Sequence, residues 1–187
     1  FKSLLFLSAG SVIHGTHTRN IEEYGGLIKL MPMTGLFFLV GSMAISALPP
    51  FNGFYSEWLT FQALFGGLTV GDEVAKWAFM FAAASLAMTG GLALACFVKA
   101  FGATFLARPR SKAAERARES AITMRVGTAG LASLCLVIGV LSGPIASALH
   151  NIGAQVTAAP QGVAAVATTS YHTLTVGAAA VSGLWAL

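Results

Sequence analysis

Charge is scarce in this sequence. From Val126 to Leu187 there is no Asp, Glu, Lys or Arg. Over the 187 residues only 10% are charged, against about 25% in a soluble domain. A soluble chain of this size needs charge to coat its surface, whereas one solvated by hydrocarbon does not. A mean hydropathy of +0.75 fits the second case. Cysteine is scarce too: Cys96 and Cys135 lie far apart in apolar runs, with no CxxC and no Cys/His cluster at zinc spacing. They read as small buried thiols, and no metal site is expected. Walker loops, dinucleotide fingerprints, haem or Fe–S motifs and nucleophile elbows are all missing. No cofactor is therefore expected, and neither redox chemistry nor hydrolysis by this chain alone. The sequence opens at Phe1 without an initiator Met or a signal peptide, and 173–187 ends inside an apolar run. Both ends read as truncated, and the chain as a fragment.

The cations that are present sit in one place. Six of the eleven Lys and Arg fall between Arg108 and Arg125. A nucleic-acid binder spreads basic residues over a folded surface with aromatics between them. A single block between two apolar stretches excludes that class and points to a membrane-flanking loop.

Hydropathy divides the chain as follows. Residues 1–14 read as the latter part of a membrane helix, followed by a polar stretch, 15–31, with Arg19, Glu22, Glu23 and Lys29. Residues 32–70 hold one charge, Glu57. After an acidic turn with Asp72, Glu73 and Lys76, residues 77–107 form an apolar helix interrupted only by Lys99. The basic loop 108–125 separates it from a clean span, 126–149. Residues 150–172, with His150, Pro160 and His172, are a loop without an assigned role, and a further helix begins at 173. Residues 1–107 form one unit and 126–187 additional C-terminal membrane helices. The fold class is all-α: a polytopic transmembrane helix bundle.

The stretch 32–70 is too long for one straight span, since a bilayer core needs about 20 helical residues. It is interrupted by Pro49-Pro50-Phe51-Asn52-Gly53. Proline removes backbone donors and clashes with the preceding turn, so no regular helix runs through this point. The stretch is either a hairpin of two short helices or one span with an unwound middle. In the broken-span arrangement Arg19, Lys29 and the six cations of 108–125 share one side, and only Lys76 lies on the other. The hairpin spreads the charge more evenly, so the positive-inside rule favours the broken span with both basic loops cytoplasmic.

Backbone freed by such a break is tolerated in a membrane only where it is buried in protein or lines a wet cavity. Transporters place such breaks at ion sites near the midplane. Glu57 follows the break by one to two turns, and a carboxylate there is costly enough to be a functional candidate by default. Its bland alternative is a structural partner for a neighbouring helix. Lys99 lies some eight residues before the end of its helix, roughly 12 Å deep, where a lysine either snorkels or takes part in chemistry. Lys2 precedes His14 by twelve residues, roughly 18 Å. Lys2, Glu57 and Lys99 thus form a candidate proton relay on consecutive helices. His14 and His17 are candidate access groups, because histidine exchanges protons near neutral pH; they also read as ordinary interfacial histidines. Gly90-Gly91 favours close helix packing. Trp58, Trp77, Phe79 and Phe81 read as lipid-facing or interfacial.

Three motifs carry a family resemblance: Lys2-Ser-Leu-Leu-Phe-Leu-Ser-Ala-Gly-Ser-Val-Ile-His14; Gly25-Gly26-Leu27 with Met31-Pro32; and Leu48-Pro49-Pro50-Phe51-Asn52-Gly53-Phe54-Tyr55-Ser56-Glu57-Trp58. The set resembles the antiporter-like, proton-conducting membrane subunits shared by respiratory complex I, Mrp-type cation/proton antiporters and membrane-bound hydrogenases. Ser56-Glu57-Trp58 and the run Cys96-Phe97-Val98-Lys99-Ala100-Phe101-Gly102 look most like the hydrogenase-4 and formate hydrogenlyase large membrane subunit. The resemblance covers residues 1–125 well and is weaker beyond. It implies a fold of two inverted five-helix repeats, each with a broken helix carrying a central charge. This chain would supply the last three helices of the second repeat. Lys2 matches a relay lysine, Lys99 a lysine of the hydrogenase-type branch, and Glu57 the central charge of the broken helix, where many relatives carry lysine.

The resemblance also implies a function. The chain is expected to translocate protons in the membrane arm of a membrane-bound hydrogenase or complex I-like oxidoreductase. Its partners would be other membrane subunits and a peripheral redox arm, in a bacterial or archaeal plasma membrane. The alternatives are an Mrp-type antiporter subunit without a redox partner and a non-conducting structural fragment.

Overall fold

The computed structural model describes residues 1–70, 72–106 and 108–145. The helix expected at 173–187, the end of the span expected at 126–149, and His150 and His172 lie outside the described residues. The regular secondary structure among those described is all helical, with no strand. Helix α1 is Lys2–Thr16, and two single turns of 3-10 helix follow at Ile21–Glu23 and Leu27–Lys29. Helix α2 is Pro32–Ile45, α3 Asn52–Val70 and α4 Glu73–Phe101, which continues as a π-helical turn, Gly102–Leu106. A short α5, Lys112–Glu115, precedes α6, Ile122–Val140. Arg125 stands in the first turn of α6, and its N–H donates to Ala121 O. Two helical stretches, Glu73–Leu106 and Ile122–Val140, are long and apolar enough to cross a membrane.

The direction of α2 and α3 is read from what each touches on α4. Near the start of α2, Gly35 faces Phe105, at the end of the α4 stretch. Early in α3, Glu57 faces Gly90, midway along α4. Near the end of α3, Gly67 faces Phe79, close to the start of α4. The two short helices therefore cross the bundle in one direction, antiparallel to α4, as a single traverse with an interruption.

A buried cluster closes one end of the bundle. It joins Val12, Tyr24, Leu27, Met31 and Phe105 to Ala114 and Ala117 of the basic segment. Phe105 sits in a stack of rings, 5.2 Å from Phe101 and 5.5 Å from Phe38. The loops 15–31 and 108–121 are knitted together here. Ser111 Oγ donates to Glu23 O at 2.8 Å. A Cβ on Gly25 (φ 138°) would lie 2.2 Å from Arg108 O, so only glycine fits there. A second cluster, Leu4, Phe37, Ala132 and Cys135, ties α1 and α2 to α6.

Helix α2 begins with proline, whose missing N–H is one of the donors a first turn leaves unpaired anyway. The next donor is met from far along the chain: Met33 N–H donates to Glu119 Oε2 at 3.1 Å. Thr34 Oγ1 donates to the other oxygen of the same carboxylate. A carboxylate at a helix N-terminus also meets the positive end of the helix dipole. Glu119→Ala is expected to cost about 1–2 kcal/mol, and Glu119→Gln clearly less, because the amide oxygen still accepts. Thermal unfolding of the full-length protein in detergent checks the order wild type, Gln, Ala.

Candidate functional site

The interruption between α2 and α3 is built, not frayed. Leu48 N–H donates to Met43 O at 3.1 Å and Ala47 N–H to Ala44 O at 3.4 Å. This is the paired 6→1 and 5→2 pattern of a Schellman C-cap. Its left-handed position, normally glycine, is Ala47 at φ 52°. Pro49-Pro50, a cis peptide, follows, and Phe51 N–H donates to Leu48 O at 3.1 Å. Gly53 then starts α3 hard against the end of α2: a Cβ there would lie 1.7 Å from Ala44 O. From the far side, Gly139 of α6 presses on the break, where a Cβ would lie 2.0 Å from Pro50 O. Ser46 Oγ and Asn52 Oδ1 are buried at this point without a hydrogen-bond partner among the described residues.

Glu57 follows the break on the face of α3 turned to α4. Its side chain is half-buried and borders two cavities. The first, about 260 Å³, is lined by Phe1 at the N-terminus of α1, by Ser56 and Thr60 of α3 and by Thr89 of α4. The second, about 360 Å³, is more aromatic, with Phe54, Trp58 and Phe61, and also reaches Ser46. Between them the carboxylate abuts Gly90, where a Cβ would lie 3.0 Å from Glu57 Oε1. Gly91 has nothing within 4 Å of its own Cβ position. Of the glycine pair, then, Gly90 makes the close approach.

The other candidate groups are placed differently. Lys2 is exposed, but its neighbour Phe1 lines the first cavity beside Glu57. Lys99 is exposed and lies nine residues after Gly90, about two and a half turns, so it stands on the opposite face of α4. Among the described residues the only ion pair is Lys76 with Glu73, at 2.7 Å. None therefore joins Lys2, Glu57 and Lys99. His14 and His17 are both exposed, their rings 6.2 Å apart at the end of α1. Trp77 and Phe81 face outward, Trp58 stacks on Phe54 at 6.2 Å, and Phe79 is half-buried against Gly67. Sequence reasoning did not find Ser46, Ser56, Thr60 or Thr89 as lining residues, nor Gly139 as the clamp. Hydroxyls and lone glycines in apolar helices carry no signal of the face they occupy.

Known proteins share much of this sequence. Residues 1–70 match the family described as "NADH:quinone oxidoreductase/Mrp antiporter, TM". Over these residues the chain is similar to that transmembrane, antiporter-like family. Hydrogenase-4 component B of Escherichia coli K12 is 45% identical over 160 residues, which are 86% of this chain and 24% of that protein. Formate hydrogenlyase subunit 3 of the same strain is 46% identical over 144 residues, 77% of this chain and again 24% of the relative. NADH-quinone oxidoreductase subunit L of Rickettsia typhi is 51% identical over 65 residues, 35% of this chain and 10% of that protein. The antiporter-like chain thus spans about a quarter of the length of the first two relatives. The matched family residues contain α1, α2, the break and α3, and so include Glu57.

The two glycines give a contrast. Gly90→Val is expected to displace the Glu57 carboxylate from α4. Gly91→Ala is expected to leave the carboxylate in place and to stabilise the helix by about 0.5–1 kcal/mol. Thermal midpoints, with the labelling rate of Glu57 by a hydrophobic carbodiimide, check the pair in the full-length protein.

Proposed function

We propose that this antiporter-like chain is part of a proton-translocating membrane subunit of a hydrogenase or complex I-type oxidoreductase, with Glu57 as its central proton-carrying group. The observation that carries this reading is the place of Glu57: just past a helix break, against Gly90, bordering two cavities. Acidic residues within membrane-spanning bundles mark proton and ion paths. Ser56, Thr60 and Thr89 offer hydroxyls on one side of it, and Ser46 on the other.

In this reading Lys2 and Lys99 belong to the same relay, Lys99 from the far face of α4 through groups outside this chain, and His14 and His17 give access at the end of α1. The basic loops face the cytoplasm of a bacterial or archaeal cell. The chain supplies the final helices of the second of two inverted repeats, and partner subunits carry the redox centres. An Mrp-type antiporter would use the same Glu57 site without a redox partner. The names of two relatives that align with most of this chain, a hydrogenase component and a formate hydrogenlyase subunit, favour the redox-linked assembly.

Glu57→Gln in the full-length subunit is expected to abolish coupled proton transfer while the complex still assembles. Proton uptake into vesicles, read beside native-gel assembly, tests this; normal pumping by the variant would overturn the proposal.

A further inference from the structure

Hydroxyls inside a helix commonly donate back to a carbonyl of the preceding turn. Ser42, Ser56, Thr60, Ser85 and Thr89 do so here, each at 2.8 to 2.9 Å. Ser46 does not. The residue is 8% exposed, and its Oγ is buried with no hydrogen-bond partner among the described residues. The carbonyl one turn back, Ser42 O, already accepts from the Ser46 N–H at the end of α2. A buried hydroxyl left in this state calls for a partner.

This difference divides the two cavities that Glu57 borders. Ser56, Thr60 and Thr89 line the first. Their protons are committed to backbone, so they offer that cavity lone pairs alone. Ser46 lines the second. Among the described residues it is the one hydroxyl bordering either cavity that is free to donate. Trp58, the other side-chain donor on the second cavity, stands about 100° round α3 from Glu57 and is stacked on Phe54. Asn52 Oδ1, also unpaired at the break, lines neither cavity. Among the described residues, Glu57 is the only titratable side chain bordering either cavity, whether from α2, α3 or α4.

A carboxylate only accepts hydrogen bonds, whereas a carboxylic acid also has one O–H to donate. The two forms of Glu57 therefore need different neighbours. We infer that Ser46 turns its O–H into the second cavity and donates, through water, to ionised Glu57, while protonated Glu57 donates to a lone pair of Thr60 in the first. The second cavity, about 360 Å³, has room for that water. Thr60 lies three residues after Glu57 and so beside it on α3. The bare backbone at Gly90 is the seam across which the carboxyl turns. Ser46 is a positioning residue in this arrangement: it sets which way the charged carboxylate faces. The inference rests on Glu57 being the proton-carrying group, and adds that loading with a proton moves the carboxyl from one cavity to the other.

The test uses the full-length subunit in its native membrane. A hydrophobic carbodiimide modifies a carboxyl only in its protonated form, so the rate of Glu57 modification, read by mass spectrometry, reports the protonated fraction. Ser46→Ala removes the donor to the charged form and is expected to raise the rate about fivefold in alkaline buffer. Thr60→Val removes the acceptor for the neutral form and is expected to lower it by a similar factor. Both effects are expected to vanish in acid, where every carboxyl is protonated. A change in reagent access alone would persist there. Ser42→Ala, one turn before Ser46 and with its proton on Phe38 O, is expected to leave the whole profile unchanged. A profile for Ser46→Ala or Thr60→Val that matches wild type, a shared direction for the two, or a change that persists in acid overturns the inference. None of these results bears on pumping by Glu57→Gln, so the two proposals fail separately.

Discussion

Hydrocarbon offers no partner to a backbone N–H or C=O, and this one constraint organises the region from Ile45 to Asn52. A proline pair there removes two donors and stops the α-helical ladder. The chain meets the cost by closing α2 with paired capping bonds from Ala47 and Leu48. Helix α3 then starts so close to the end of α2 that Gly53 has no room for a side chain. Helix α6 lays Gly139 against the same turn, so the irregular backbone is covered by protein on that side. Both glycines serve close approach of backbone to backbone, and Ala47 accepts a left-handed conformation in a position normally given to glycine.

The same geometry turns Glu57 inward. With α3 started at Asn52, the carboxylate reaches α4 at Gly90, the one point of the glycine pair with no space to spare. Open clefts on both sides, one edged with hydroxyls and one with rings, give the half-buried group a partly polar surround. Packing and chemistry are joined here: what holds the break shut also holds the carboxylate at the seam of two cavities.

At the other end of the bundle, charge is handled by loops. Glu119 is spent on the first turn of α2, and Ser111 on the loop after α1. Arg108, Arg110, Lys112, Arg116 and Arg118 are left exposed on the surface of that cap. A cap tied this way to the start of α2 couples the basic segment to the broken traverse, and the Phe38–Phe101–Phe105 stack adds apolar contact between α2 and α4.

What the sequence determined by itself is what depends on local chemistry. Scarce charge and long apolar runs made the chain helical and membrane-bound, and proline chemistry forbade a regular helix through Pro49-Pro50. A lone carboxylate in an apolar stretch singled out Glu57, and contiguous motifs carried the family. Relations between distant residues were decided by tertiary structure. Nothing local shows that Gly90 rather than Gly91 meets Glu57, that Gly139 covers the break, or that Glu119 caps a helix at a residue 86 positions earlier. Lys99 is the sharpest case. Helical spacing alone puts it half a turn from Gly90, but only packing reveals which of those faces meets Glu57. Hydropathy is a property of single residues, whereas a face is defined by the neighbour it touches.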